Sequence, residues 1–299
     1  MGPRALLVGE ALVDVTRMPD GTVAEHAGGS PLNVAVTMAR QGIDTTLAAQ
    51  VGDDRFGDLI RAHLDRSGVT LLDAGPSGPT GSATATIDAG GAATYEFDLR
   101  WAPDRLPDPA DFDLVHVGSI GAWLEPGANA VADLVRRAHD EGQAVGFDPN
   151  VRPTLGPPVP VLRERVLDLA SSSRFVKLSD EDASVLAEGG SPESVLRILA
   201  AEGPALAAMT RGGASAVLRS GDHEVEVPVP QVAVADTIGA GDTWMGTLLA
   251  ELLLRGWVDR TGFGADELRE LGEVAVRASA ITVSRPGADP PWRDELRHG

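Results

Sequence analysis

The sequence predicts an α/β fold: a mainly parallel central sheet with helices on both faces and a small β-strand lid attached. Three observations carry this. Short apolar runs ("ALLVGE", "TTLAAQVG", "LVHVG", "AVGFDPN", "RFVKLS", "ALAAMT") alternate with helical patterns such as "GGSPLNVAVTMARQG" and "FGDLIRAHLDRSG" almost throughout. Apolar runs of this kind belong to strands buried on both faces, which is the parallel-sheet pattern. Residues 11–25 and 80–98 depart from it with short alternating strands, the second segment joined through Asp88, Ala89, Gly90 and Gly91 as a hairpin, and these supply the lid. The chain has 299 residues, no internal repeat, and Pro/Gly-rich pieces no longer than loops, so it reads as a single domain over 1–299.

Composition narrows the function. No apolar run is long enough to span a bilayer, and "MGPRALLVGEALVDV" lacks the charged start and cleavage site of a signal peptide, which predicts a soluble, cytoplasmic protein. The absence of Cys removes disulfides, thiolate metal sites and thiol nucleophiles together. His26, His63, His116, His139, His223 and His298 show no metal-site spacing and read as structural or surface residues. A net charge of −19 argues against nucleic acid or an anionic membrane as partner, so any anionic ligand must be held locally. Of the 25 basic residues only Lys177 is lysine; an ammonium is a compact point charge that a guanidinium does not replace in a confined site.

Along the chain, Asp14 follows the first strand. "GGSPLN" then opens a helix with Ser30 as cap, Pro31 in the first turn, Asn33 turned toward the strand ends and Gly42 as terminator. Asp148, Pro149, Asn150 and Arg152 follow a later strand. "HEVEVPVPQVAVAD" alternates Val225, Val227, Val229, Val232 and Val234 as a strand broken or edged by prolines. Trp244, Leu248 and Leu252, flanked by Met245, Leu249 and Leu253, make 242–254 a buried helix. Between them Gly239, Ala240 and Gly241 form a strand-to-helix turn whose backbone N–H groups can approach an anion. Asp242 at its lip is either a general base or a helix-start carboxylate.

Taken together, "GGSPLNVAVTMARQG" and "DTIGAGDTWMGTLLAELL" resemble the N- and C-terminal signatures of the ribokinase-like, or PfkB, carbohydrate kinases, in the right order and over nearly the whole chain. The resemblance implies Asp242 as the base on a sugar hydroxyl, the 239–241 backbone as the anion hole, and Asp14, Gly28, Gly29 and Asn33 as sugar ligands. "TRGGASA" resembles the family's nucleotide loop, which implies Thr210, Gly212 and Gly213 as ATP contacts, with Ser215 where the last glycine is usual. "KLSDED" resembles its N-x-x-E element. Lys177 and Ser179 then face the nucleotide, and Asp182, one methylene shorter than Glu, reaches magnesium through water. "SRPGA" resembles the adenine and monovalent-cation region, and Asp236 orders that loop with potassium.

"FDPNVRPTL" and "GSPLN" resemble fructokinases and 2-keto-3-deoxygluconate kinases more than ribokinase or nucleoside kinases. Fructose is the expected acceptor; Arg100 or Arg152 could bind an acid sugar instead, and could equally serve the ATP phosphates or sit in solvent. The expected reaction is in-line transfer from Mg-ATP to a primary hydroxyl. Lys177 has no G-x-x-x-x-G before it, which excludes a P-loop. Trp244 occupies the place of the third glycine in a dinucleotide fingerprint, which disfavours an oxidoreductase. A sugar- or nucleotide-sensing protein on the same fold is the non-enzymatic alternative. The open edges of the lid offer a surface for a homodimer.

Overall fold

The computed structural model describes residues 2–75, 78–88 and 90–297; Met1, Ala89 of the expected hairpin turn, and His298 lie outside them. In chain order the elements are β1 (Arg4–Val8), β2 (Leu12–Arg17), β3 (Val23–Gly28), α1 (Ser30–Arg40), β4 (Asp44–Ala49), α2 (Arg55–Ser67), β5 (Thr70–Asp73), β6 (Gly81–Ile87) and β7 (Ala93–Asp98). They continue with β8 (Leu114–Gly118), α3 (Ser119–Trp123), α4 (Gly127–Asp140), β9 (Ala144–Asp148), α5 (Val159–Ser171), β10 (Phe175–Ser179), α6 (Asp180–Leu186) and α7 (Pro192–Ala201). The C-terminal part holds β11 (Leu206–Arg211), β12 (Ser215–Ser220), β13 (His223–Pro228), α8 (Ala240–Leu254), α9 (Ala265–Val283) and α10 (Arg293–Arg297).

Among the described residues the main sheet has nine strands in the order β13-β12-β11-β10-β9-β8-β1-β4-β5. From β11 to β5 every pairing is parallel, and β12 and β13 add an antiparallel edge. Successive strand residues are buried on opposite faces. Leu7, Leu47 and Phe175 pack with α1, α8 and α9, whereas Leu6, Val8, Val115, Val117, Phe147, Val176 and Leu178 pack with α4 to α7. That alternation explains the unbroken apolar runs. It also aims the polar exceptions: Lys177 lies between Val176 and Leu178, so it projects from the opposite face, toward α8. No helix among the described residues is long and apolar enough to cross a membrane.

The smaller sheet, in the order β3-β2-β6-β7, is the lid. Its β2–β6 pair is parallel and the outer pairs are antiparallel. Its first part reaches past residue 25, because β3 continues to Gly28 and passes directly into α1. The lid is tied to the body at Asp54, the N-cap of α2. Asp54 Oδ1 accepts from the Gly57 N–H at 2.8 Å, and Oδ2 accepts from the Thr80 N–H at 2.8 Å, just before β6.

One strand ends earlier than its pattern suggested. β13 stops at Pro228, and Val232 and Val234, 40% and 64% exposed, are in no strand. Pro228 and Pro230 cannot donate to a ladder, so the spacing of two continues in sequence without a sheet to join.

Candidate active site

The site forms beyond the carboxyl ends of the parallel strands, where α1 and α8 begin side by side. Gly29 is the N-cap of α1, with φ 105, and a Cβ there would lie 2.7 Å from the Glu10 carbonyl oxygen. Glycine is therefore required by both conformation and space. The helix consequently starts at Ser30, and Ser30 is not the expected side-chain cap. Its hydroxyl instead donates to Asp242 Oδ1 at 2.6 Å. Asn33 Nδ2 donates to Asp242 Oδ2 at 2.8 Å. A carboxylate only accepts, so this contact fixes the Asn33 amide orientation and leaves Asn33 Oδ1 buried and unpartnered.

Asp242 itself is buried, in the first turn of α8. Gly239 is the left-handed N-cap, φ 75, and a Cβ on it would meet the Ala288 side chain at 2.6 Å. Gly241 is open on another side: a Cβ there would stand 2.9 Å from Lys177 Nζ. The two glycines thus let the turn close against the 284–288 loop and let a buried ammonium approach it. The Gly241 and Asp242 N–H groups have no protein partner among the described residues, whereas Thr243 N already bonds to the Gly239 carbonyl. Free N–H groups at a helix start, beside a cation, suit a negatively charged group.

Lys177 is held by Asp148, Nζ to Oδ2 at 2.8 Å, with the two side chains 5% and 0% exposed. Burial pushes the Asp148 carboxyl up to about 6 against the pull of Lys177. Burial also opposes charge on Lys177, but Asp148, Asp182 and Asp242 outweigh it and hold the ammonium above its usual range. The pair is charged, and the cation faces the helix turn.

The remaining nucleotide candidates lie at adjacent strand ends. Ser179 pairs with Thr210 across β10 and β11, and Gly212 and Gly213 form the exposed turn into β12. Ser215 belongs to β12, and its hydroxyl donates to Glu226 at 2.6 Å. Asp182 completes a capping box with Ser179, and its other oxygen accepts the Val151 N–H at 2.7 Å. Asp236 accepts from Ile238 N and Gly287 N, both at 3.0 Å, joining the turn to the "SRPGA" loop.

Of the expected sugar ligands, Asp14 lies within β2 of the lid, not at the end of β1. A Cβ on Gly28 would collide with its carboxyl group. Burial raises Asp14 to about 6; His26 lowers it, Asp242 raises it and Arg152 lowers it. The exposed Arg152 acts on Asp14 only through its charge, and Arg100 lines a cavity with Gln50, Leu99 and Trp101. Sequence reasoning missed Glu10, which lines the same cavity, and missed that Asp148 holds Lys177. A signal was present in both cases: an acidic residue at the carboxyl end of an apolar parallel strand.

A family model described as pfkB family carbohydrate kinase matches residues 3–295. The chain is 32% identical over 318 aligned positions to a fructokinase of Klebsiella pneumoniae, with 99% of both chains covered. It is 30% identical to a fructokinase of Vibrio alginolyticus, over 82% of each. The solved fructokinase of Xylella fastidiosa with bound ATP superposes with a TM-score of 0.82 at 26% identity, covering 96% of this chain and 94% of that one. A double mutant of the fructokinase of Vibrio cholerae O395, in fructose, ADP and potassium ion bound form, gives 0.80 at 25% identity over the same shares. The family match runs from the first strand through lid and body to the last helix, and the chain therefore belongs to the pfkB family of carbohydrate kinases: it is a sugar kinase.

Proposed function

We propose that the protein transfers the γ-phosphoryl group of ATP to a primary hydroxyl of fructose, with Asp242 as general base. One observation carries the mechanism: Asp242 is buried and held by Ser30 and Asn33 directly at the open N-terminus of α8, with Lys177 against the same turn. The sugar oxygen attacks the γ-phosphorus, the bond to the β–γ bridging oxygen of ATP breaks, and Asp242 takes the hydroxyl proton. The Gly241 and Asp242 N–H groups and Lys177 stabilise the charge on the transferring group. Asp14, Asn33 Oδ1 and the Gly28–Gly29 backbone hold the acceptor, and the lid closes over it. Lys177, Ser179, Thr210, Gly212 and Gly213 line the nucleotide side.

Magnesium would neutralise phosphate charge when it binds with ATP. No group of three or more His, Asp or Glu among the described residues is placed to hold a metal, and Asp182 already accepts a backbone N–H at each oxygen. On this reading phosphate and water supply the metal's ligands, with Asp182 reaching it only through water. Potassium belongs at the Asp236 region, whose two hydrogen bonds already order the loops there. Fructose is favoured by the fructokinase relatives; Arg100 and Arg152 at the rim are the features an acid sugar would use. Turnover of fructose, 2-keto-3-deoxygluconate, ribose and adenosine with Mg-ATP tests this. The highest kcat/KM is expected for fructose, and a higher value for 2-keto-3-deoxygluconate would overturn it.

A further inference from the structure

Glu10 follows the end of β1 and is buried, at 7% exposure. Oε2 accepts the Gly121 N–H at 3.0 Å. Backbone packs closely around it: a Cβ on Gly121 would lie 2.7 Å from the Gly9 Cα, and the Glu10 carbonyl bears on Gly29. Ser119, which begins α3 and is itself buried, has φ 50, an uncommon conformation for a residue with a side chain. A carboxyl group without a cationic partner is costly to enclose in this way unless the site uses it.

Its position suggests the use. Glu10 lines the cavity walled by Gln50, Leu99, Arg100 and Trp101, and Asp242 is close enough to act on its charge. With Asp242 as base for the reacting hydroxyl, a sugar whose far end entered that cavity would meet the Glu10 carboxyl on its wall. We propose that Glu10 is a specificity-determining residue of the acceptor site, its carboxyl accepting a hydrogen bond from a sugar hydroxyl other than the one phosphorylated. The assignment rests on the sugar-kinase reading above and extends it to the far end of the acceptor.

The charged groups around Glu10 are Asp242 from α8 and, lining the same cavity, Asp73 of β5 and Arg100, with Asp14 of the lid also feeling the charge of Asp242. Burial raises the Glu10 carboxyl to about 7; hydrogen bonds from Ser119, its own N–H and Gly121 lower it, and Asp242 raises it further. An ionised carboxylate is the stronger acceptor for a hydroxyl. Acceptor binding should therefore tighten as pH rises through about 7, separately from the titration of Asp14 near 6.

The test is steady-state kinetics of the full chain and of Glu10→Gln, from about pH 6 to about pH 9, with Mg-ATP and the best acceptor of the panel. Gln keeps an oxygen for the Gly121 N–H. The acceptor KM should rise roughly tenfold above neutral pH with the ATP KM unchanged. The parent's fall in acceptor KM near pH 7 should vanish in the variant. Equal acceptor KM with superimposable pH profiles would overturn the proposal, as would equal rises in both KM values, which would mark a merely structural residue. Should Glu10→Gln fail to fold, Glu10→Asp takes its place, since it keeps the charge but withdraws the carboxyl by one methylene, and an acceptor KM equal to the parent's would exclude the role. A parent that prefers ribose over fructose would refute the fructose reading while leaving the Glu10 comparison to be read with ribose.

Discussion

The two ends of the site manage buried charge in opposite ways. At the phosphoryl end the fully buried Asp148 is paired with Lys177 at 2.8 Å, and that ammonium is pressed against the glycine turn of α8. At the acceptor end Glu10 and Asp14 have no such partner, and burial raises them to about 7 and about 6. On the proposed mechanism the difference follows from what each end must receive. A phosphoryl group brings negative charge, so the protein installs a fixed cation and open N–H groups before the ligand arrives. A neutral sugar brings hydroxyls, which need acceptors more than counter-charge. Carboxyls without cations serve there at a cost in stability that a paired site avoids.

Asp242 stands where the two ends meet, so changing it should produce the largest effect. In Asp242→Asn the side-chain amide can donate to Ser30 Oγ while its oxygen keeps the bond from Asn33 Nδ2, so the frame of α1 against α8 survives. On the proposed mechanism the group can then no longer take the hydroxyl proton. Turnover should fall by about 10²–10⁴-fold with little change in either KM. Rates within threefold of the parent would reduce Asp242 to a helix-start carboxylate.

Removing the cation from the paired end comes next. Lys177→Met leaves Asp148 enclosed without a partner, and its Oδ1 already lacks one. The expected loss is about 3–5 kcal/mol of stability, together with weaker nucleotide binding. The loss should be smaller in acid, where Asp148 escapes the penalty by taking up a proton. Lys177→Arg keeps the charge but brings a planar fork to a place where the ammonium is already so near Gly241 that a Cβ on that glycine would lie 2.9 Å from it. It should retain more stability than Lys177→Met and still lose turnover. Chemical denaturation and ATP titration separate the two variants, and an unchanged rate in Lys177→Arg would show that the sole lysine is incidental.

The same contrast decided how much of the molecule was legible. The turn and helix of the phosphoryl end are written in one contiguous stretch, Asp236 to Leu254, where glycines, a carboxylate and an apolar helix follow one another, whereas its Lys177–Asp148 pair joins two distant strands. The parallel strands were equally plain because both faces are buried. The acceptor end is assembled from the segments around Glu10, Asp14, Asn33 and Gly121, remote in sequence, and no spacing announces which carboxyls turn inward. Ser30 shows the limit well: a serine before a helical pattern reads as a cap, and only the approach of α8 gives its hydroxyl a better partner in Asp242. Val232 and Val234 show the converse, since a strand period carries no information about whether a neighbour exists to pair with.

The smallest expected effect sharpens the contrast from the acceptor end. Glu10 titrates near 4.5 when exposed and near 7 in the fold, so below about 4.5 it is protonated in both states and costs nothing. Between the two values the folded protein holds a proton that the unfolded chain has released, so stability falls as pH rises, and the full penalty is present above about 7. Glu10→Gln removes that titration. The variant should match or slightly trail the parent near pH 5, because Gln is the weaker acceptor for Gly121 N–H, and should exceed it near pH 8 by about 1–3 kcal/mol. Asp14 and Asp148 titrate in an overlapping range, but they do so in both proteins and cancel in the difference. Paired thermal melts across this range provide the measurement. A variant more stable than its parent at pH 8 yet poorer at holding the acceptor would identify a carboxyl kept for function against stability. A stability difference independent of pH would mean that Glu10 stays ionised in the fold, and the two ends would then not differ in the way they manage buried charge.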